Sequence, residues 1–161
     1  MSAAQSTLEL RRLSVADLDA IDAIERRAYV TPWSRAMFQS ELSKPTSLCL
    51  GAFSDQGELL GYLILSRYVD AWHVMNVAVS PDHRRQGIAT ALLERVFELT
   101  EQGGRRGYTL EVRVSNTGAM RLYERLGFQA RGIRRAYYTD NREDAVIMWR
   151  ETEDGAQGAG A

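Results

Sequence analysis

The chain has 161 residues, 45% hydrophobic and 25% charged, which fits one soluble globular domain with a sizeable core and excludes a disordered chain. A formal net charge of -1 excludes a global basic field that would recruit nucleic acid or an anionic membrane. Apolar runs such as residues 59–65 are too short to span a bilayer, and residues 1–5 lack the charged-then-apolar order of a signal peptide.

Residues 7–12 alternate, Leu8 and Leu10 against Glu9 and Arg11, and read as a first strand. Ser14, with Asp17 three positions on, predicts a capped helix to about Arg27, whose Leu18, Ile21, Ile24 and Ala28 share one face. Pro32 breaks it and Ser34 caps a second helix to about Leu42. Trp33 in the intervening loop reads equally as a core plug or a ligand wall. Residues 47–53 and 58–66 are a hairpin around Ser54-Asp55-Gln56-Gly57, and 71–79 is the next strand. The only cysteine, Cys49, rules out an internal disulfide, fits a reducing cytoplasm and reads as a small buried hydrophobe. His73 and His83 belong to no Cys/His/Asp cluster at ligand spacing, so no metal site is expected.

Residues 76–90 read as the end of a buried strand, a Pro81-Asp82 turn, a basic loop and a helix beginning near Gln86. The first turn of a helix carries unpaired N–H groups and the positive end of the macrodipole, Gly87 and Ala89 are small there, and Arg84 and Arg85 add two charges. The stretch reads as a pyrophosphate seat. Neither Gly-x-x-x-x-Gly-Lys-Ser/Thr nor Gly-x-Gly-x-x-Gly is present; the pattern is Arg84-x-x-Gly87-x-Ala89. The helix continues to Gln102 with Ile88, Leu92, Val96 and Leu99 on one stripe, and Gly103-Gly104 ends it.

Residues 108–114 are a fifth strand, with Tyr108, Leu110, Val112 and Val114 on one face and Thr109, Glu111 and Arg113 on the other. A carboxylate on an inner strand implies either a buried ion pair, with Arg113 the nearest cation, or a wet cleft. Asn116 caps a short helix whose Ala119, Leu122, Tyr123 and Leu126 share a face, and Gly127 stops it. Residues 128–138 and 144–149 are the last strands. The domain is expected to span residues 1–151, with a disordered tail at 152–161.

Arg84-x-x-Gly87-x-Ala89 resembles the Gln/Arg-x-x-Gly-x-Gly/Ala signature of the GCN5-related N-acetyltransferase (GNAT) superfamily. Asn116-x-x-Ala119-x-x-Leu122-Tyr123-x-x-x-Gly127-Phe128 resembles its second signature at every constrained position. Thr31-Pro32-Trp33-Ser34, Asn76-Val77-Ala78-Val79, Leu110-Glu111-Val112-Arg113, and Arg134-Arg135-Ala136-Tyr137-Tyr138 followed by residues 142–148 look like the RimI type, over about residues 8–149. Ala89 for the last glycine of the phosphate signature is a substitution the family allows.

The resemblance implies an α/β (α+β) GNAT fold: a mixed, mostly antiparallel seven-stranded sheet with four helices, splayed between the fourth and fifth strands. It implies acetyl-coenzyme A as cosubstrate and, as acceptor, the N-terminal alanine of a small-subunit ribosomal protein, with neither nucleic acid nor membrane as direct partner. Cofactor contacts would come from Val77, Ala78, Val79, Arg84, Arg85, Gln86, Gly87, Ile88, Ala89, Thr90 and Asn116. Glu111 would be the general base and Tyr123 the general acid, while Trp33, Arg134, Tyr137 and Tyr138 would border the acceptor groove. The alternatives are a lysine or small-molecule amine as acceptor, a non-catalytic coenzyme A-binding regulator, and an RNA binder using the arginine pairs, against which the charge balance weighs.

Overall fold

Ser14 ends the first strand by satisfying donors that the following turn leaves unpaired. In a computed structural model of the chain, which describes residues 7–103 and 106–152, β1 (Glu9–Arg12) is followed by a capping box. Ser14 Oγ accepts the Ala16 N–H at 3.3 Å and Asp17 accepts the Ser14 N–H at 2.8 Å. A 3-10 turn (Val15–Asp17) leads into helix α1 (Leu18–Ala28), which buries Leu18, Ile21 and Ile24 on one face. Ser34 caps α2 (Arg35–Ser43) by accepting the Met37 N–H at 3.2 Å. β2 (Ser47–Phe53), β3 (Leu59–Tyr68), β4 (Ala71–Val79), α3 (Ile88–Leu99), β5 (Tyr108–Arg113), α4 (Thr117–Arg125), β6 (Gln129–Arg134) and β7 (Ala145–Arg150) complete the order.

The strands form one seven-stranded sheet in the order β1-β2-β3-β4-β5-β7-β6. The β1–β2, β2–β3, β5–β7 and β6–β7 pairs are antiparallel, whereas β4 and β5 run parallel. Among the described residues that parallel ladder has two rungs, Trp72–Tyr108 and His73–Thr109, while β5 pairs with β7 along its whole length. Packing divides the chain into two compact units. One holds residues up to Ser66 together with Met75–Glu98, the other Arg67–Val74 together with the residues from Leu99 on.

In the first unit β3 is buried from Leu59 to Leu65 without a break, the pattern of a strand covered on both faces. Phe38 lies edge-on to Tyr62 at 5.7 Å and contacts Trp33 at 5.0 Å. Gly61 lets its neighbours close in: a Cβ there would stand 2.9 Å from the Ala78 carbonyl oxygen and 3.1 Å from Ile88 Cγ2. Glu25 of α1 is a buried carboxylate, 1% exposed. It accepts the Tyr62 hydroxyl, the Asn76 side-chain amide at 3.1 Å and the Trp33 backbone N–H at 2.9 Å, so a desolvated charge is satisfied by three donors. Cys49 is buried, and burial with the Glu41 charge pushes its thiol up to about 11, which leaves it unreactive near neutral pH.

The second unit is built on β5, β7 and β6. Tyr108 is fully buried and its hydroxyl pairs with Thr100, while Arg150 Nε donates to the Leu126 carbonyl at 2.9 Å. Three sequence expectations are corrected. Helix α3 begins at Ile88 rather than Gln86 and ends at Leu99 rather than Gln102, because Glu101 and Gln102 themselves adopt left-handed backbone (φ 52° and 61°) before the glycines. Gly104 and residues 153–161 of the expected tail lie outside the described residues. Leu99 faces outward, and the buried stripe is Ile88, Leu92, Leu93, Val96 and Phe97. β6 stops at Arg134 rather than Tyr138, since Ala136 turns to φ 49° and donates its N–H to Asp144 Oδ1 at 2.8 Å. The apolar face of α4 is half-buried, with Phe128 beneath it.

Gly107 has φ 94°, and a Cβ there would lie 2.0 Å from the Arg150 carbonyl oxygen. Gly107→Ala therefore combines left-handed strain with a backbone clash and should cost more than about 2 kcal/mol in urea unfolding. Gly57→Ala, strained but with open space, should cost about half of that or less.

Candidate active site

The basic loop of the first unit changes backbone handedness from residue to residue. Arg85 and Gly87 both take positive φ (64° and 77°) on either side of Gln86, immediately before Ile88 opens α3. Alternating backbone handedness of this kind turns successive N–H groups toward one concavity, and the helix N-terminus adds its dipole. Arg84, Arg85, Gln86 and Gly87 are exposed, while Ala89 and Thr90 are half-exposed. Ile88 is buried. The turn before the loop is held by Arg27, whose guanidinium bridges both Asp82 oxygens at 3.1 and 3.2 Å.

The Ser80 N–H bonds the Leu60 carbonyl at 2.7 Å. Hydrogen-bonding direction alternates along a strand, so Ala78 and Ser80 turn their backbone groups toward β3 and Val77 and Val79 turn theirs away. The Val77 carbonyl accepts the Tyr29 hydroxyl. Ala78 lies in the core beside Gly61, with its side chain in the apolar cluster. Trp33 also joins that cluster, half-buried against Phe38, so its ring serves the core whatever else it does.

The second unit gathers the titratable side chains. Glu111 is at the middle of β5, its carboxylate 2.7 Å from His73 Nε2 through Oε2 and 4.0 Å from Arg134 Nε through Oε1. Burial alone would raise its pKa, but the hydrogen bond and charge of His73, then the charge of Arg134, outweigh burial and hold it below the ordinary 4.5. The Glu111–Arg113 pair that the sequence allowed does not form. Arg113 instead reaches Asp140 at 2.8 Å and Glu143 at 3.4 Å, with its guanidinium 4.0 Å from the Tyr138 ring centroid. Glu143 also accepts the Ser115 N–H at 2.7 Å. One arginine thus seats the segment from Asp140 to Glu143 and the phenol of Tyr138.

Tyr123 of α4 lies edge-on to Phe128 at 5.6 Å, and burial, with the neighbouring Tyr138, pushes its phenol up to about 12. Tyr138 is likewise pushed to about 12, first by burial, with Arg113 opposing and Tyr137, Glu111 and Glu143 adding. Tyr137 stands edge-on to Tyr138 at 5.1 Å and under Arg134 at 5.8 Å. Arg134 thus adjoins both Glu111 and Tyr137, Tyr137 adjoins Tyr138, and Tyr138 is the neighbour of Tyr123. Asn116 caps α4, its side-chain oxygen accepting the Ala119 N–H at 3.2 Å, so only its amide N–H groups are left for another partner. Among the described residues no group of three or more His, Cys, Asp or Glu side chains could hold a metal ion.

A family model described as the acetyltransferase (GNAT) family matches residues 18–128. The chain belongs to the GNAT acetyltransferases. It is similar to the ribosomal protein bS18-alanine N-acetyltransferase of Escherichia coli, 41% identical over 138 residues, covering 84% of this chain and 92% of that protein. It is also similar to the N-alpha-acetyltransferase RimI of Mycobacterium tuberculosis, 32% identical over 160 residues, or 96% of this chain and 99% of that one. The crystal structure of the Escherichia coli ribosomal-protein-S18-alanine N-acetyltransferase superposes with a TM-score of 0.82 at 39% identity, over 90% of this chain and 94% of the other.

Within this acetyltransferase the residue that sequence reasoning missed is His73. Strand periodicity shows which residues share a face, but the register of β4 against β5 decides which meet across it, and His73 opposite Thr109 brings His73 beside Glu111. A group with a depressed folded-state pKa contributes stability above its unfolded pKa and loses it as pH falls through the folded value. The wild-type enzyme should therefore lose more stability than Glu111→Gln on acidification through and below the ordinary carboxylate range, in urea unfolding at stepped pH. Equal losses would mean that Glu111 has no depressed pKa.

Proposed function

We propose that this GNAT acetyltransferase moves the acetyl group of acetyl-coenzyme A to the N-terminal α-amine of a protein, alanine first, on a small-subunit ribosomal protein in the cytoplasm. The observation that carries the reading is a Glu111 carboxylate with one oxygen held by His73 at 2.7 Å and the other without a close hydrogen bond, in a chain similar over most of its length to proteins named for that activity.

In this reading Arg84, Arg85 and Gln86 and the backbone N–H groups of Gly87, Ile88, Ala89 and Thr90 hold the pyrophosphate. The outward-turned backbone groups of Val77 and Val79 pair with the pantetheine arm, which lies along the strand as an added one would. Ala78 sets their spacing and Asn116 offers its amide. Trp33, Arg134, Tyr137 and Tyr138 border the acceptor.

The acceptor attacks only as a free amine. A protein α-amine has a pKa near ~8 and a lysine near ~10.4, so a lysine needs roughly ~3 kcal/mol more to deprotonate. A carboxylate held below 4.5 is a weak base, which favours the more acidic ammonium. Glu111 takes the first ammonium proton, and the freed lone pair forms the bond to the carbonyl carbon. The carbon–sulfur bond breaks with its electron pair going to sulfur, and the second proton of the nitrogen passes to the Tyr123 oxygen that has given its own to sulfur. The Tyr123 phenol, with its pKa about 12, keeps its proton at neutral pH and donates it toward the thiolate as charge develops.

Acetyl-coenzyme A incubated with peptides beginning Ala, Ser, Gly or Met, and with lysine peptides blocked at the N-terminus, should add mass to the α-amine of the alanine peptide first. Mass on lysine alone would move the acceptor to a side chain, and tight coenzyme binding with no transfer to any peptide would make the protein a regulator. Glu111→Gln should lose about 100-fold or more in kcat, and Tyr123→Phe should slow the chemical step. A Glu111→Gln enzyme with the rate and acid limb of the wild type would take Glu111 out of the mechanism. Because β4 runs from one compact unit into the other, residues 1–151 are proposed to form one domain and to unfold in a single cooperative transition.

A further inference from the structure

His73 is the one titratable side chain beside Glu111 to which the acetyl-transfer reading gives no task. It is half-exposed on β4, and because it stands opposite Thr109 across the parallel ladder, its ring lies on the face that Glu111 occupies two residues further along β5. Its Nε2 is 2.7 Å from Glu111 Oε2, the one hydrogen bond its ring makes among the described residues. An ionised carboxylate only accepts, so Nε2–H is the donor in that bond.

The two oxygens of Glu111 then have different fates. Oε2 is occupied by His73, while Oε1 lies 4.0 Å from Arg134 Nε, beyond hydrogen-bond distance. From the remaining elements the carboxylate is faced by Tyr138 of the loop after β6, which feels its charge, and by the apolar Ile147, its partner on β7. Arg113, on the same strand face, is turned to Asp140 and Glu143. Tyr123 of α4 adjoins Tyr138. Without the imidazole, Arg134 would be the cation closest to Glu111 among the described residues, and a freed carboxylate would close on its guanidinium as a hydrogen-bonded ion pair.

We propose that His73 is a positioning residue for acetyl transfer: its Nε2–H anchors Glu111 Oε2, holds the carboxylate off Arg134, and leaves Oε1 to receive the proton of the acceptor amine. The inference rests on Glu111 being the base. His73 neither gains nor loses a proton in the step; the first ammonium proton goes to Oε1 and the freed lone pair forms the nitrogen–carbon bond. The carbon–sulfur bond breaks with its electron pair on sulfur, sulfur takes the Tyr123 proton, and the second nitrogen proton replaces it on Tyr123. The lowered pKa of Glu111 agrees with this, since His73 is the strongest of the influences that oppose burial there.

The test compares His73→Ala and His73→Gln in the full chain, with kcat, KM and the pH dependence of kcat/KM measured on acetyl-coenzyme A and an alanine-starting peptide. His73→Ala should lose about tenfold in kcat, leave the KM for acetyl-coenzyme A unchanged, and move the acid limb of kcat/KM to higher pH, because burial then raises the Glu111 pKa with less opposition. His73→Gln, whose amide N–H reaches the same oxygen, should recover most of the rate and bring the limb back. An Ala variant with wild-type rate and limb overturns the proposal. So does a folded Gln variant as slow as the Ala variant, since the imidazole itself would then be taking the proton. Should His73→Ala melt below assay temperature, the Gln variant and a carbon-13 NMR titration of Glu111 carry the comparison. Glu111→Gln in the same assay separates the two claims: full activity there removes the base and with it the task of His73, whereas an inactive Glu111→Gln beside a fully active His73→Ala removes His73 alone.

Discussion

A carboxylate on an inner strand keeps its charge only if the fold supplies partners that outweigh desolvation. Glu111 is the point at which this protein meets that constraint. The alternation of β5 puts Tyr108, Leu110 and Val112 into the core and sends Thr109, Glu111 and Arg113 to the other face. The full-length ladder with β7 leaves β5 no freedom to slip, and a slip of one residue would drive the carboxylate into the core. His73, Arg134, Tyr138 and the loop seated by Arg113 are the groups that this placement organises.

Glu25, one of the two buried carboxylates among the described residues, shows what a purely structural solution looks like. Glu25 is 1% exposed and accepts three hydrogen bonds from neutral donors on α1's neighbours, β3, β4 and the loop at Trp33. Each of its oxygens is hydrogen-bonded within the fold, where it ties that loop to Asn76 and Tyr62. Glu111 instead keeps one oxygen without a close hydrogen bond, and its side chain is 12% exposed. Both oxygens of Glu25 are engaged within the fold, whereas Glu111 Oε1 has no close hydrogen bond, a difference that burial does not show.

Much of this was legible in the sequence. Ser14 with Asp17, Ser34 and Asn116 announced three helix starts through cap chemistry, and the second signature identified the family that the full-length comparisons bear out. The errors have local causes. Gly103-Gly104 looked like the stop for α3, yet Glu101 and Gln102 take left-handed backbone first. Residues 135–138 read as a continuation of the strand, but Ala136 turns and Asp144 binds its N–H. The partner of Glu111 was illegible for a different reason. Arg113 was nearest in sequence, whereas His73 became nearest through a parallel register set by packing.

The most direct test of the central claim is the affinity of a transition-state-like conjugate. Coenzyme A joined through an acetyl bridge to the α-nitrogen of an alanine-starting peptide can be compared by calorimetry with the isomer joined through a lysine side chain. An enzyme built to bring a thioester and an α-amine together should bind the first conjugate at least about 100-fold more tightly than the second and more tightly than coenzyme A alone. Equal affinity for the two isomers, or no gain over coenzyme A, would contradict the account.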